Sequence, residues 1–438
     1  MPNYILPGPK SAELLKIGER YECKGYAGHA PLVWESASGC IVTDVDGNTY
    51  IDWTSGVLVT NVGHCHPHHV QMIQDAVAKL MCPYAYPTPE RITVSKRLVE
   101  SMPACAKNLD RCFMLTTGSE ATEAAMRLAR RFTGRHEILS FWGGFHGRTG
   151  TAMSAAGSIG TKKQWGPLMP GHIYAPYAYC YRCPFAMKPE SCGFHCLGFL
   201  DHAMQTASTG DLAAVIVEPY QGGAGFIFPP EGWLTRVQQW AADQGALFIV
   251  DEVQASFGRT GKYLCIEHEG LTPNMLCLGK GIGSGMPTAA LMAEARLFDI
   301  LESGEMSSTS GGNPIACAAC HAVLDIMESE NLAENAAAVG AGMIERFEGI
   351  KDRCNILGDV RGKGLVIGLE FVKDSATKEP APEITNQVIG KMAEKGVVCG
   401  KVGIHGNVLR VAPPLVITKE QADESIDAFE EVIGELEG

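Results

Sequence analysis

The 438-residue sequence predicts an α/β protein: a large domain with a mainly parallel sheet, and a smaller α+β domain at the C-terminal end. Three observations carry this prediction. The middle of the chain alternates short apolar runs with helical patterns, as in "RCFMLTTGSEATEAAMRLARR", "LAAVIVEPYQGG", "ALFIVDEVQ" and "NMLCLGKG". Strands separated by helices favour right-handed crossovers and parallel pairing. Beyond residue 330 the texture changes to helix, strands and a last amphipathic helix. The length exceeds that of one ordinary domain, and 46% hydrophobic against 19% charged residues, with the charges spread out, excludes disordered, collagen-like and coiled-coil chains.

In chain order, residues 1–65 hold "GCIVTDVDGNTYIDWTSG", where alternating apolar positions around Asp46-Gly47-Asn48 predict an antiparallel hairpin. This segment is expected to pack with the small domain. Residues 66–330 form the large domain and should carry the ligand site. Residues 331–438 form the small one, with helices over "ENLAENAAAVGAGMIERFEGI" and "KEQADESIDAFEEVIGEL" and strands at "GLVIGLEFV" and "VLRVAPPLV".

Charge narrows the function. Lys and Arg total 36 against 49 Asp and Glu, a net charge of −13. With no basic patch to offset it, a nucleic-acid backbone would be repelled. No apolar run reaches membrane-spanning length, and the start shows neither a charged leader before an apolar stretch nor a cleavage pattern, so a soluble, cytoplasmic protein without a membrane partner is expected. Most of the 16 cysteines lie among aliphatic residues and read as reduced, buried thiols. Cys180, Cys183, Cys192 and Cys196 stand apart as C-x2-C-x8-C-x3-C in a Pro- and Gly-containing stretch. Metal ligation, a disulfide and plain thiols all remain open there, and no metal is assigned.

In parallel α/β folds ligands collect at the carboxyl ends of strands, so the polar residues after each apolar run are the candidates. Gly118 and Ser119 stand between a strand and a helix, where unpaired N–H groups and a hydroxyl suit a phosphate; ordinary capping is the competing reading. Asp251 follows "ALFIV", placed to hold a metal, cap a helix or pair with a cationic ring nitrogen. Lys280 lies between glycines just after "NMLCL". The Walker and dinucleotide patterns are absent there, and a desolvated lysine near an acid suits Schiff-base chemistry. In "WGGFHGRT", Phe145 offers an aromatic face beside His146, and Arg148 a two-bond fork for a carboxylate.

Together, "TTGSEATEAA", "FHGRT", "EPYQG", "DEVQ" followed by "GRTG", "GKGIGSGMPTAA", "GGNPIACAA", "GDVRGKGL" and "LRVAPPL", in this order, resemble the class III aminotransferases over nearly the whole chain. These are pyridoxal-phosphate enzymes of fold type I. The resemblance implies pyridoxal 5'-phosphate as cofactor, Lys280 as its Schiff-base residue and proton shuttle, and Asp251 on the pyridinium nitrogen. It places Gln254 on the ring phenolic oxygen, Phe145 against the ring with His146 beside it, and Gly118 with Ser119 on the phosphate. Thr309 would reach the neighbouring subunit's phosphate, implying a homodimer with shared sites, open to further pairing of dimers. Arg410 would bind the substrate α-carboxylate and Arg148 a second one.

The implied activity is amino transfer from an amino acid or amine to a 2-oxo acid. Racemisation or epimerisation, decarboxylation and elimination are alternatives on the same scaffold. Two departures bear on this choice. Gly223 stands where glutamate-using members carry a gating glutamate, which favours pyruvate as acceptor. The run "GDVRGKGLVIGLEFVKDSATKEP" is similar to the dialkylglycine decarboxylase subgroup, but Val57 and Leu58 follow Ser55-Gly56 where that subgroup places a glutamine.

Overall fold

A computed structural model describes residues 2–26 and 29–437. The chain divides into two compact units. The larger comprises residues 68–257 and 262–326; the smaller comprises 1–67, 258–261 and 327–438.

The larger unit is built on seven strands: β1 (Arg111–Leu115), β2 (Glu137–Phe141), β3 (His172–Ala175), β4 (Leu212–Val217), β5 (Leu247–Asp251), β6 (Met275–Leu278) and β7 (Ala289–Ala293), in the order β1-β7-β6-β5-β4-β2-β3. Pairing is parallel from β6 through to β3, and β7 is antiparallel to both its neighbours. β1 therefore runs in the same direction as the parallel strands. The carboxyl ends of β1, β2, β4, β5 and β6 consequently lie along one edge of the sheet. β2, β4, β5, β6 and β7 are buried throughout, and the unbroken apolar runs of β4, β6 and β7 are those of strands covered on both faces. Helix α1 (Gly118–Thr133) covers the sheet through Ala121, Ala124, Ala125 and Leu128. It begins in a Thr117–Glu120 capping box and ends at Gly134, left-handed at φ 68°.

In the smaller unit the expected hairpin is present. Ile41–Asp44 pairs antiparallel with Thr49–Asp52, and Gly47 takes φ 89° in the turn. Asp44 holds that turn by accepting the N–H groups of Asp46 and Asn48. Thr49–Asp52 also pairs with Val397–Val398, and Trp53 packs on Phe347 and Phe429 while its indole N–H donates to Ser425 Oγ at 3.0 Å. A second sheet of β8 (Leu357–Lys363), β9 (Val366–Phe371), β10 (Gly400–Val402) and β11 (Val408–Val411) has the order β8-β9-β11-β10 and is antiparallel. Among the described residues, no helix is long and apolar enough to cross a membrane.

Candidate active site

The shared edge of the sheet brings four chain segments together, and glycines make the contacts possible. A Cβ on Gly118, after β1, would stand 2.5 Å from Val253 Cγ1. One on Gly279, after β6, would stand 2.9 Å from the same atom and 3.5 Å from the Gly118 Cα. The turn opening α1, the segment after Asp251 and the lysine turn thus meet across one valine. A methyl group at Gly118 would push them apart. Ser119 then links the fourth segment: its Oγ accepts the Arg148 N–H at 3.3 Å and sits 2.5 Å from where a Gly147 Cβ would be. Capping of α1 falls to Thr117, which accepts the Glu120 N–H at 3.2 Å, and the Ser119 hydroxyl is not the cap.

Lys280 is half-buried and takes φ 46°, a left-handed conformation that costs a non-glycine residue about 1 kcal/mol or more and tends to mark functional turns. Asp251, 5% exposed, ends β5; its Oδ1 accepts the Val253 N–H at 3.1 Å and its Oδ2 bonds His146 Nδ1 at 2.8 Å. Gln254 fills the space a Gly222 side chain would take, with its Oε1 2.0 Å from that missing Cβ. This Oε1 is buried without a partner among the described residues, which in a native interior calls for a ligand or water. Phe145 is half-buried, and the exposed Arg148 lies over it, 5.6 Å from guanidinium carbon to ring centroid.

Two predicted residues lie elsewhere. Thr309 is exposed and lines a groove with Thr116, Glu120, Glu123 and Thr149; Lys280, Asp251, Gln254 and Phe145 do not line it. Arg410, 5% exposed, belongs to the smaller unit and sits on β11 between Gly368 and Gly400 in register. Glycine at both places leaves room for the guanidinium, since a Gly400 Cβ would stand 2.7 Å from Arg410 Nη2. Burial pushes this guanidinium's pKa down, opposed by Asp52 and then Cys399. Its Nε has no partner among the described residues, an uncompensated buried donor suited to a carboxylate.

Cys180, Cys183, Cys192 and Cys196 all line one small cavity of about 30 Å³. They are free thiols, and the Trp233 indole N–H donates to Cys196 Sγ at 3.3 Å. Among the described residues no three His, Cys, Asp or Glu side chains stand at metal-binding spacing. Burial first, and then the neighbouring thiols, pushes the Cys180 pKa up to about 11. At neutral pH Cys180 should hold roughly a hundredfold less thiolate than an ordinary cysteine. Its alkylation, followed by mass spectrometry, should therefore be slow and accelerate steadily to pH 10. Fast labelling at pH 7 would contradict this.

Three residues that shape these segments carried no role in the sequence reading. Glu123 Oε1 accepts from Thr149 Oγ1, Thr151 N and Ala152 N, fixing the segment after Arg148. Arg259, fully buried in the smaller unit, donates to Asn61 Oδ1 at 2.7 Å and to the Pro413 carbonyl. Glu218, 7% exposed directly after β4, accepts the Phe145 and Gly222 N–H groups. Glu218 follows an apolar run just as Asp251 does, Glu123 lies within the "TTGSEATEAA" run and Arg259 within "GRTG".

With this geometry in place, comparison with known proteins is decisive. Residues 24–433 match the family Aminotransferase class-III. The chain belongs to that family. The aminotransferase is 34% identical to a 4-aminobutyrate aminotransferase of Mycobacterium leprae, covering 98% of this chain and 97% of the relative. It is 35% identical to an alanine/serine racemase of Pyrococcus horikoshii, covering 98% and 91%. An amine transaminase from an uncultivated Pseudomonas species, solved in its pyridoxal-phosphate-bound form, superposes with a TM-score of 0.87 at 30% identity, covering 92% and 95%. The protein is a pyridoxal-phosphate-dependent transaminase of fold type I, working between an amino donor and an oxo-acid acceptor. Its own residues fit the cofactor: a glycine-opened turn at the α1 N-terminus, a buried acid, an orphaned amide oxygen and a strained lysine share one edge of the sheet.

Proposed function

We propose that the enzyme moves an amino group from an amino acid or amine to a 2-oxo acid, with pyruvate preferred, using Lys280 as the amine that holds the cofactor. The observation that carries this reading is the meeting of the Gly118, Asp251 and Lys280 segments across Val253. When bound, pyridoxal phosphate supplies an electron sink for the substrate α-carbon. Asp251 would keep a positive charge on the ring nitrogen, Gln254 would bond the phenolic oxygen and Phe145 would cover a ring face, with His146 bonded to Asp251. Gly118 and Ser119 hold the phosphate through the α1 N-terminus. Lys280 Nζ takes the proton from the substrate Cα and returns it. Thr309, exposed and on a groove that its own chain's Lys280 does not line, would complete the phosphate site of a second copy, so the working unit is a homodimer.

Arg410 would take the substrate α-carboxylate, for which its buried Nε is an open donor. At Gly223 no side chain is available to pair with it; a Cβ there would meet Phe145 Cβ at 3.3 Å. A small 2-oxo acid needs only Arg410, whereas a dicarboxylic acceptor needs a second cation, for which Arg148 is the candidate. Losing a buried charge contact costs about 2 to 5 kcal/mol, roughly 30-fold to several thousand-fold. Arg410→Ala should therefore depress kcat/KM for every 2-oxo acid by that much, while Arg148→Ala should spare pyruvate and affect only dicarboxylic acceptors. Steady-state kinetics with pyruvate and 2-oxoglutarate checks both. A strong wild-type preference for 2-oxoglutarate that Arg148→Ala removes would overturn the inference from Gly223.

The 35% identity to an alanine/serine racemase favours one second reading, amino-acid racemisation on the same site. Incubating single enantiomers without any oxo acid and separating the products on a chiral phase distinguishes the two. Amino transfer needs the acceptor, while racemisation proceeds without it.

A further inference from the structure

Glu218 is a buried acid at this edge that the roles above leave unused. Its carboxylate spans two turns: Oε2 accepts the Phe145 N–H at 2.9 Å and Oε1 the Gly222 N–H at 3.1 Å. Each turn carries something the site needs. Phe145 presents the aromatic face and precedes His146, which bonds Asp251. Gly222 is the position whose missing side chain admits the Gln254 amide. Two N–H groups could be satisfied by any neutral acceptor, and burying a carboxylate is costly unless its charge is compensated. The charge itself therefore calls for a counterpart, and the buried imidazole next in the chain to the clamped Phe145 is His146.

The titratable groups facing His146 are Asp251 from β5, Glu218 from the end of β4 and His172 from β3. His172 is neutral: burial first, then Arg130, Lys162 and His146, push its pKa down to about 4. Burial would likewise drive the proton off His146, but the hydrogen bond and charge of Asp251, joined by Glu218, outweigh it, and the net direction is upward. Glu218 is itself pushed up to about 7 by burial, with His146 pulling it down and Asp251 opposing, so it acts as an anion in full only above that pH.

We propose that Glu218 is a positioning residue: its carboxylate clamps the Phe145 and Gly222 turns and, as second anion beside His146, keeps that imidazole protonated and donating to Asp251. This holds Asp251 in one orientation toward the cofactor. The inference rests on the site assignment under the proposed function, which Lys280→Ala tests separately; the readout here does not depend on turnover.

The experiment follows the His146 ring nitrogens by NMR across pH in the cofactor-loaded enzyme, comparing wild type with Glu218→Gln and Glu218→Asp. An opposite charge at close range moves a titration by about one to three pH units. In Glu218→Gln the His146 midpoint should fall by about one unit or more. Glu218→Asp keeps the charge but shortens the reach, so its midpoint should stay near wild type while cofactor is lost faster on dialysis. An unchanged midpoint in Glu218→Gln would overturn the proposal and leave a plain structural clamp. Should Glu218→Gln not fold, a midpoint in Glu218→Asp as low as that of free histidine would overturn it equally.

Discussion

Replacing Lys280 by alanine should reduce amino transfer by at least about a thousandfold. Positioned proton transfer alone contributes about 10² to 10⁴ in rate, and the same amine is proposed to hold the cofactor. The fold should survive, because Lys280 lies in a turn just past β6 and alanine, which carries the same Cβ, adds no backbone strain there. The Gly118 turn, Gln254 and Asp251 all remain, so the variant should still take up cofactor, without a covalent link. Borohydride reduction followed by mass spectrometry separates the cases: wild type should retain the cofactor's mass on the chain after denaturation, and the variant should not. Full turnover in Lys280→Ala would remove the lysine from the reaction.

Asp251→Asn should leave a folded protein whose rate falls by roughly a thousandfold, the scale on which one fixed electrostatic contact is lost. Asparagine is nearly isosteric, and its Oδ1 can still accept the Val253 N–H that Asp251 accepts at 3.1 Å. What disappears is the negative charge at the end of β5; on the proposed assignment nothing would then stabilise a protonated ring nitrogen, and the ring would be a poorer electron sink. The His146 imidazole loses its 2.8 Å partner charge at the same time and should titrate at lower pH. Circular dichroism would verify the fold, and single-turnover kinetics the chemical step. A near-normal rate would take Asp251 out of the mechanism.

Much of this site could be read before any coordinates. Gly118, Asp251 and Lys280 each follow a short apolar run, and a parallel sheet sends the ends of its strands to one edge; local pattern plus one topological rule therefore singles them out. The hairpin at Asp46-Gly47-Asn48 was similarly legible, because a turn of this kind needs a left-handed residue and Gly47 supplies it. Ser119 was only half legible. Its place at a helix start suits both a cap and a ligand, and Thr117 turns out to be the cap.

By itself, then, the sequence determined the elements, their alternation and the polar residues at the strand ends, because hydrophobic period and turn chemistry act over a few residues. Which strand ends touch was decided only by the tertiary structure. The contact of Gly118 and Gly279 with Val253 joins residues far apart in the chain, and nothing local to any of them encodes it. Glu218 shows the same limit: its place after β4 is visible in the sequence, but its two acceptor bonds to Phe145 and Gly222 exist only once two loops have folded over it. Arg259 is a charged side chain with no exposure to water. It is tolerated inside because Asn61 and the Pro413 carbonyl, distant in sequence, supply the hydrogen bonds that water would otherwise provide.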